Sequence, residues 1–356
     1  MHSTTIESFG TTSSGQEALL YTLKNDRGMA IKVSSFGATL VSVLIPNAQG
    51  GTTDVVLGFD SVLGYEKTGL YLGATIGRYA GQIKNAAFEL GGKAYSLFPN
   101  DHTNTLHGGQ KGFDKRLFEA TVYAEENKVA FRYVSPHGEE GFPGNLAVVS
   151  TYQLTEENKI IMEHIAKTDC DTVLNMTNHA YYNLNGHTSG SIENHRLTIP
   201  ADLFLELGPD CCPNGKILPV AHTPMDFRSP RPVGKAIGVQ DDQLAISEGY
   251  DHNWNINHFD GSLRQCAELE NDNGSVRMQM LSDLPGLQMY SGNYLNGSEP
   301  GKGGFCYNYR GALCLEPQFY PAAPNYPAFP SALLRKGETY RHTIITQFFY
   351  GQPGER

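Results

Sequence analysis

Little in this chain of 356 residues suits nucleic acid or a membrane. Charged residues are scarce, at 18%, and 27 Lys+Arg against 37 Asp+Glu leave a net charge of -10. Without a basic block, neither a phosphate backbone nor an anionic lipid surface finds its footprint, so a small, neutral ligand is expected instead. Apolar runs such as Thr39-Leu40-Val41-Ser42-Val43-Leu44-Ile45 are less than half a bilayer span and stop at Pro46. The opening Met1-His2-Ser3-Thr4-Thr5-Ile6-Glu7-Ser8 has neither the basic nor the apolar segment of a secretory leader. Cys170, Cys211, Cys212, Cys266, Cys306 and Cys314 form no C-x-x-C pair, and adjacent Cys211 and Cys212 are poorly placed for a framework disulfide. Reduced thiols in a cytoplasmic protein are the expectation. Absent too are G-x-S-x-G, G-x-x-x-x-G-K-[ST] and a helix-opening G-x-G-x-x-G, so serine hydrolase, P-loop and dinucleotide-binding readings have no support. His107, His179 and a carboxylate would make an iron site on paper, but no H-x-H or H-E-x-x-H brings ligands together locally, and no metal is expected.

Long helical periodicities are also missing, and strand signals dominate. Phe118, Ala120 and Val122 alternate up to a turn at 125–128, after which Val129, Phe131 and Tyr133 resume. The pattern recurs across 148–154 and 160–165, with a turn at 155–158. It is clearest where Ala267 and Leu269 lead through Asn271-Asp272-Asn273-Gly274 into Val276, Met278 and Met280. A period of two puts one face of each strand on a core, and Asn-Gly supplies the positive φ of a tight turn. Short helices are expected at 62–67, after Asp60-Ser61, and at 240–248. Asp241-Asp242 and Glu139-Glu140 read as solvated turns, and the Pro-rich 317–330 as an ordered extended loop. The whole chain, 1–356, reads as one all-β domain, an antiparallel sandwich or barrel, long enough to bury about 75% of its unfolded surface.

Five segments could carry chemistry. In Gly77-Arg78-Tyr79-Ala80-Gly81-Gln82-Ile83, Arg78 either clamps substrate oxygens with its planar guanidinium or makes an ordinary surface ion pair. In Asn104-Thr105-Leu106-His107-Gly108-Gly109, the glycines allow close backbone approach, and His107 either faces a ligand or bonds a loop backbone. His179, Tyr181 and Asn183 lie at spacing two in Asn178-His179-Ala180-Tyr181-Tyr182-Asn183-Leu184. On a strand they would share one polar, aromatic face, suited to a sugar or to a structural cluster. The fourth is Tyr250-Asp251-His252-Asn253. The fifth is Leu313-Cys314-Leu315-Glu316-Pro317-Gln318, where a carboxylate after an apolar run is expected to be partly buried, with its proton affinity raised towards that of a base.

Taken in order, these segments resemble the aldose 1-epimerase (galactose mutarotase) family. Gly112-Phe113-Asp114-Lys115, Phe319-Tyr320-Pro321, Pro324-to-Pro330 and Leu334-to-Tyr340 add to the match, which spans nearly the whole chain. The resemblance implies a large antiparallel β-sandwich (supersandwich) with an open sugar-binding face. It also implies cofactor-free interconversion of the α and β anomers of a free monosaccharide by a monomer or homodimer. Position by position, it implies that His179 is the general acid and Glu316 the general base, with Arg78, His107, Asp251 and Gln288 contacting substrate. Mutarotation requires the C1 hydroxyl to lose a proton while the ring oxygen gains one, so a carboxylate near the former and a protonated histidine near the latter are expected. Gly77 and Gln82 depart from the N-R-x-x-x-R-I found in many members, so the resemblance assigns neither position a sugar contact.

Three rivals remain at this point: a glycosidase using Asp251 and Glu316 as paired carboxylates, a non-catalytic carbohydrate-binding module, and a hexose-6-phosphate epimerase. A carbohydrate-binding module needs neither acid nor base, and a phosphate site needs added Arg or Lys.

Overall fold

Alternating side chains organise three antiparallel sheets in the computed structural model, which describes residues 2–351. All three hairpins expected from the alternation form. Glu119–Tyr123 pairs with Lys128–Ser135, Leu146–Leu154 with Lys159–Thr168, and Arg264–Glu270 with Val276–Ser282. Asn127, Asn158 and Gly274, with φ of 47°, 60° and 70°, supply the left-handed positions of their turns. These six strands join Thr339–Tyr350, Arg196–Thr198 and Arg231–Pro232 in a nine-stranded sheet. In Lys159–Thr168 the pleat sends Ile160, Met162 and Ala166 into the core, while Lys167 faces solvent.

A five-stranded sheet from Ser3–Thr11 to Thr52–Asp54 and a six-stranded sheet complete the sandwich. One buried cluster draws on all three: Leu23, Ile31 and Val43 from the five-stranded sheet, Phe131, Met162, Met278 and Ile344 from the nine-stranded one, and Trp254, Leu287 and Leu315 from the six-stranded one. The helices at Val62–Lys67 and Asp242–Ile246 match expectation. Asp241 is a helix cap and not a solvated turn, because its side chain accepts from the backbone N–H of Gln243 and Leu244. Glu139 and Glu140 are likewise more than solvated. Glu139 accepts from Tyr133 and pairs with Arg116, and Glu140 accepts from the N–H groups of Gln110 and Lys111.

The six-stranded sheet positions the chemistry. Its order is Tyr181–Tyr182, Leu313–Gln318, Gly286–Tyr290, Asp251–Asn255, Leu203–Leu207, Pro213–Pro219. Glu316 opposes Gln288, which opposes Asn253; Cys314 opposes both Tyr181 and Tyr290, and Tyr290 opposes Asp251. Opposed residues share a face, so these side chains line one surface of the sheet. Leu313, Leu315, Leu287, Met289 and Trp254 fall on the other and join the core. Every residue of the Leu313–Gln318 strand is buried, which means that both faces of this strand are covered.

Candidate active site

A cavity of about 170 Å³ opens over the polar face of the six-stranded sheet, a volume below the 300–1,000 Å³ range typical of drug-sized ligands and matched to one small molecule. One wall is a run of six rings. Tyr71 meets His107 edge-on at 4.8 Å, His107 meets His179 at 5.2 Å, and His179 stacks on Tyr181 at 5.1 Å. Tyr181 then meets Tyr290, which stacks on Tyr294. Asp251, Gln288, Glu316 and Gln318 supply polar groups, and among the described residues no lysine or arginine lines the cavity.

Glu316 and His179 come together across 137 residues of sequence. His179 Nε2 lies 3.6 Å from Glu316 Oε1, and both residues are buried, at 5% and 1% exposure. The strand brings Cys314 up behind the imidazole, its Sγ 3.5 Å from His179 Nδ1. Burial disfavours charge on each group. It holds the His179 imidazole down at about 4, and burial, reinforced by the Asp251 carboxylate, pushes Glu316 well above the usual carboxylate range. Burial thus favours the neutral imidazole in the resting pair and raises the proton affinity of its Glu316 partner. Glu316 Oε2 is buried without a partner.

Gln288 Nε2 donates to Asp251 Oδ1 at 2.7 Å, while burial and Asp101 raise Asp251 to about 6. His107 satisfies both of its readings: it lines the cavity, and its Nδ1 accepts the Gly81 N–H at 3.2 Å. That bond leaves Nε2 as the protonated nitrogen of a neutral ring, a donor for a ligand oxygen. The pairing of Thr105–Leu106 with Gln82–Ile83 brings the loop there, and a side chain at Gly108 would strike the Gly77 carbonyl. His179, Cys314 and Glu316 also offer three ligand atoms within 4.8 Å of one another. A soft cation bound there would have to displace the Cys314 proton, which burial holds far above its ordinary affinity.

The aldose 1-epimerase sequence profile matches residues 19–347. The chain belongs to the aldose 1-epimerase family. Galactose mutarotase of Homo sapiens is 39% identical over 322 residues, 90% of this chain and 91% of that protein. Aldose 1-epimerase of Escherichia coli (strain K12) is 36% identical over 336 residues, 94% of this chain and 96% of its own. Among solved structures, galactose 1-epimerase from Lactobacillus acidophilus NCFM superposes with a TM-score of 0.86 at 28% identity, covering 99% of this chain and all of that one. An aldose epimerase homologue from C. elegans gives 0.84 at 30% identity, over 98% of this chain and all of its own.

In this aldose 1-epimerase chain, the cavity gathers five of the six expected site residues: His179, Glu316, His107, Asp251 and Gln288. Arg78 is the exception. Its guanidinium is 2% exposed and turns away from the cavity, donating to Ser135 Oγ and to the carbonyls of Ser135, Pro136 and Pro143 at 2.8–2.9 Å. It is neither a sugar clamp nor a surface ion pair, but the tie between its loop and the 135–143 segment. Gln82, to which the resemblance assigned no contact, lines the cavity, whereas Gly77 packs on the Phe113 ring, which a side chain there would overlap. Asn183 does not share the face of His179 and Tyr181. The strand ends at Tyr182, and the Asn183 amide donates to the carbonyls of Gly190 and Gly311. Tyr71, Tyr290 and Tyr294 were not singled out from sequence, since an isolated tyrosine carries no spacing signal. Cys314 and Gln318 had one, two residues either side of Glu316.

Proposed function

We propose that this protein is a cofactor-independent, cytoplasmic aldose 1-epimerase interconverting the α and β anomers of free aldohexoses such as D-glucose and D-galactose. The observation that carries this reading is the buried His179–Glu316 pair at 3.6 Å on the cavity wall. The two oxygens to be served share one carbon and lie closer together than a hydrogen-bond length of about 3 Å, so an acid and a base must reach them from neighbouring positions. Sugar hydroxyls donating to Glu316, whose Oε2 has no protein partner, favour its carboxylate form and shift the shared proton to His179. Glu316 then takes the C1 hydroxyl proton as His179 protonates the ring oxygen, and the ring opens to the aldehyde. After rotation about C1–C2, Glu316 returns its proton to the carbonyl oxygen as His179 takes back the proton of the attacking C5 hydroxyl, and the other anomer closes. Asp251, Gln288 and His107 hold the ring hydroxyls, and the aromatic wall packs against the apolar ring face.

An imidazole beside Glu316 fits proton shuttling on an intact sugar better than cleavage by paired carboxylates. A cavity with no lysine or arginine among its described lining residues disfavours a phosphate dianion. The chain's cysteines are all unpaired, as suits a reducing compartment, and no helix among the described residues is long and apolar enough to cross a membrane. The test is polarimetry on freshly dissolved α-D-glucose and α-D-galactose, with glucose-6-phosphate as charged control. Glu316→Gln and His179→Asn should each lower kcat about 10²–10⁴-fold. Near-wild-type turnover in either variant removes that residue from the mechanism.

A further inference from the structure

Gln318 belongs to none of the roles above, yet it is the least satisfied side chain on the cavity wall. It is 0% exposed, it lines the cavity, and neither its Oε1 nor its Nε2 has a hydrogen-bond partner. Buried amides in native proteins are nearly always paired, so an amide with both ends open beside a ligand cavity requires an account. The ladder shows why no protein group supplies the missing bonds. Gln318 opposes Gly286, which has no side chain to offer. The space over Gly286 is held by the Asn253 amide, which a Cβ at 286 would strike and which is itself unpaired. The neighbour across the strands is thus a gap and an amide that does not turn to Gln318.

Resting on the mutarotase reading, we propose that Gln318 is a substrate-binding residue that sets specificity by hydrogen-bonding a sugar hydroxyl remote from the anomeric carbon. A carboxamide both donates and accepts, which matches a hydroxyl, and it carries no charge to attract a phosphate or carboxylate. Gln318 shares the face of Glu316 two residues along the strand, displaced by about 7 Å at ~3.4 Å per residue. With Glu316 at C1–OH, that distance carries Gln318 past the reacting oxygens to the far side of the ring.

The experiment measures kcat/KM by polarimetry for wild type, Gln318→Leu and Gln318→Met on glucose and its 2-, 3-, 4- and 6-deoxy forms, with thermal midpoints alongside. Both variants should lose about 5- to 150-fold on glucose, or about 1–3 kcal/mol at 1.4 kcal/mol per tenfold. They should lose nothing further on the one deoxy sugar that lacks the partner hydroxyl. Their midpoints should hold or rise, since an apolar group in place of an unpaired amide removes a desolvation penalty. Equal losses on every sugar, unchanged kcat/KM, or lost stability with normal kcat/KM in the folded protein would each overturn the assignment. An inactive wild type would instead sink the underlying mutarotase reading, and this inference with it.

Discussion

Replacing Arg78 separates two roles that sequence alone leaves open. The guanidinium makes four hydrogen bonds of 2.8–2.9 Å, each worth about 1.5–3 kcal/mol when one partner is charged. Ser135 Oγ passes the interaction on to the Glu139 carboxylate, so the buried cation has a counter-charge at one remove. Against this stands desolvation, the largest influence on Arg78, which draws its guanidinium down to about 10. Breaking a buried, hydrogen-bonded charge typically costs about 3–5 kcal/mol, because the groups left behind lose their partners. At about 2.1 cal/mol/K per residue, unfolding a chain of 356 residues carries an entropy near 0.75 kcal/mol/K, so Arg78→Met should lower the thermal midpoint by about 4–7 °C. Arg78→Lys should recover little of it, since an ammonium cannot span four acceptors that a planar fork reaches. Circular dichroism gives the midpoint, and polarimetry well below it gives KM, which should match wild type. A KM raised tenfold with an unmoved midpoint would refute the structural role and restore the sugar clamp.

Further outcomes follow from the same geometry. Asp251→Asn should raise KM, and it should stabilise the protein at pH 8 relative to pH 4. The folded carboxyl sits at about 6 against 3.8, so its contribution is full below about 4 and is lost as pH rises through 6. That amounts to at most about 3 kcal/mol, measured by chemical denaturation at the two pH values. Acid should act in the opposite sense through His164, His179 and His252, which burial holds at about 4, 4 and 3. The unfolded chain takes up their protons near 6.5 and the fold resists, so stability should fall from pH 6.5 towards 4, and a flat profile there would contradict their burial as neutral rings. Gly77→Asn should destabilise by about 1–3 kcal/mol through its overlap with the buried Phe113 ring, and an unchanged midpoint on thermal denaturation would show that the ring can move.

What could be read from sequence is local, and what could not is set by distant neighbours. The hairpins around Asn127, Asn158 and Gly274 are legible because period-two burial and a turn residue with positive φ are encoded within about twenty residues. The resemblance named His179 and Glu316 together, and they lie 3.6 Å apart, but neither residue shows in its own stretch of sequence that the other lies beside it. Arg78 went astray because its orientation is decided by Ser135, Pro136 and Pro143, 57 to 65 residues on. Asn183 failed for a different reason: its spacing from His179 and Tyr181 is right for a strand, but the strand stops at Tyr182. The neutral state of His179 was also hidden, since a pKa depends on burial that only the assembled sandwich provides.

That burial explains why the pair stands on this strand. A strand at the surface of a sandwich ordinarily has one wet face, and a glutamate there would keep an ordinary carboxylate's acidity. Leu313–Gln318 is covered on both sides, by the core beneath Leu313 and Leu315 and by the cavity's aromatic wall above. Glu316 thereby gains proton affinity and His179 loses it, which shifts both towards the neutral forms between which one proton can pass at low cost. The strand contributes in a second way, because its pleat sets Cys314, Glu316 and Gln318 on the same face at intervals of about 7 Å. In this arrangement the backbone ladder serves as the ruler: Cys314 backs His179, Glu316 faces its imidazole, and Gln318 lines the cavity two residues further on. A one-residue slip in the pairing with Gly286–Tyr290 would turn all three into the core and present Leu313, Leu315 and Pro317 to the sugar instead. The hydrophobic pattern that holds the fold in register therefore also aligns its chemistry.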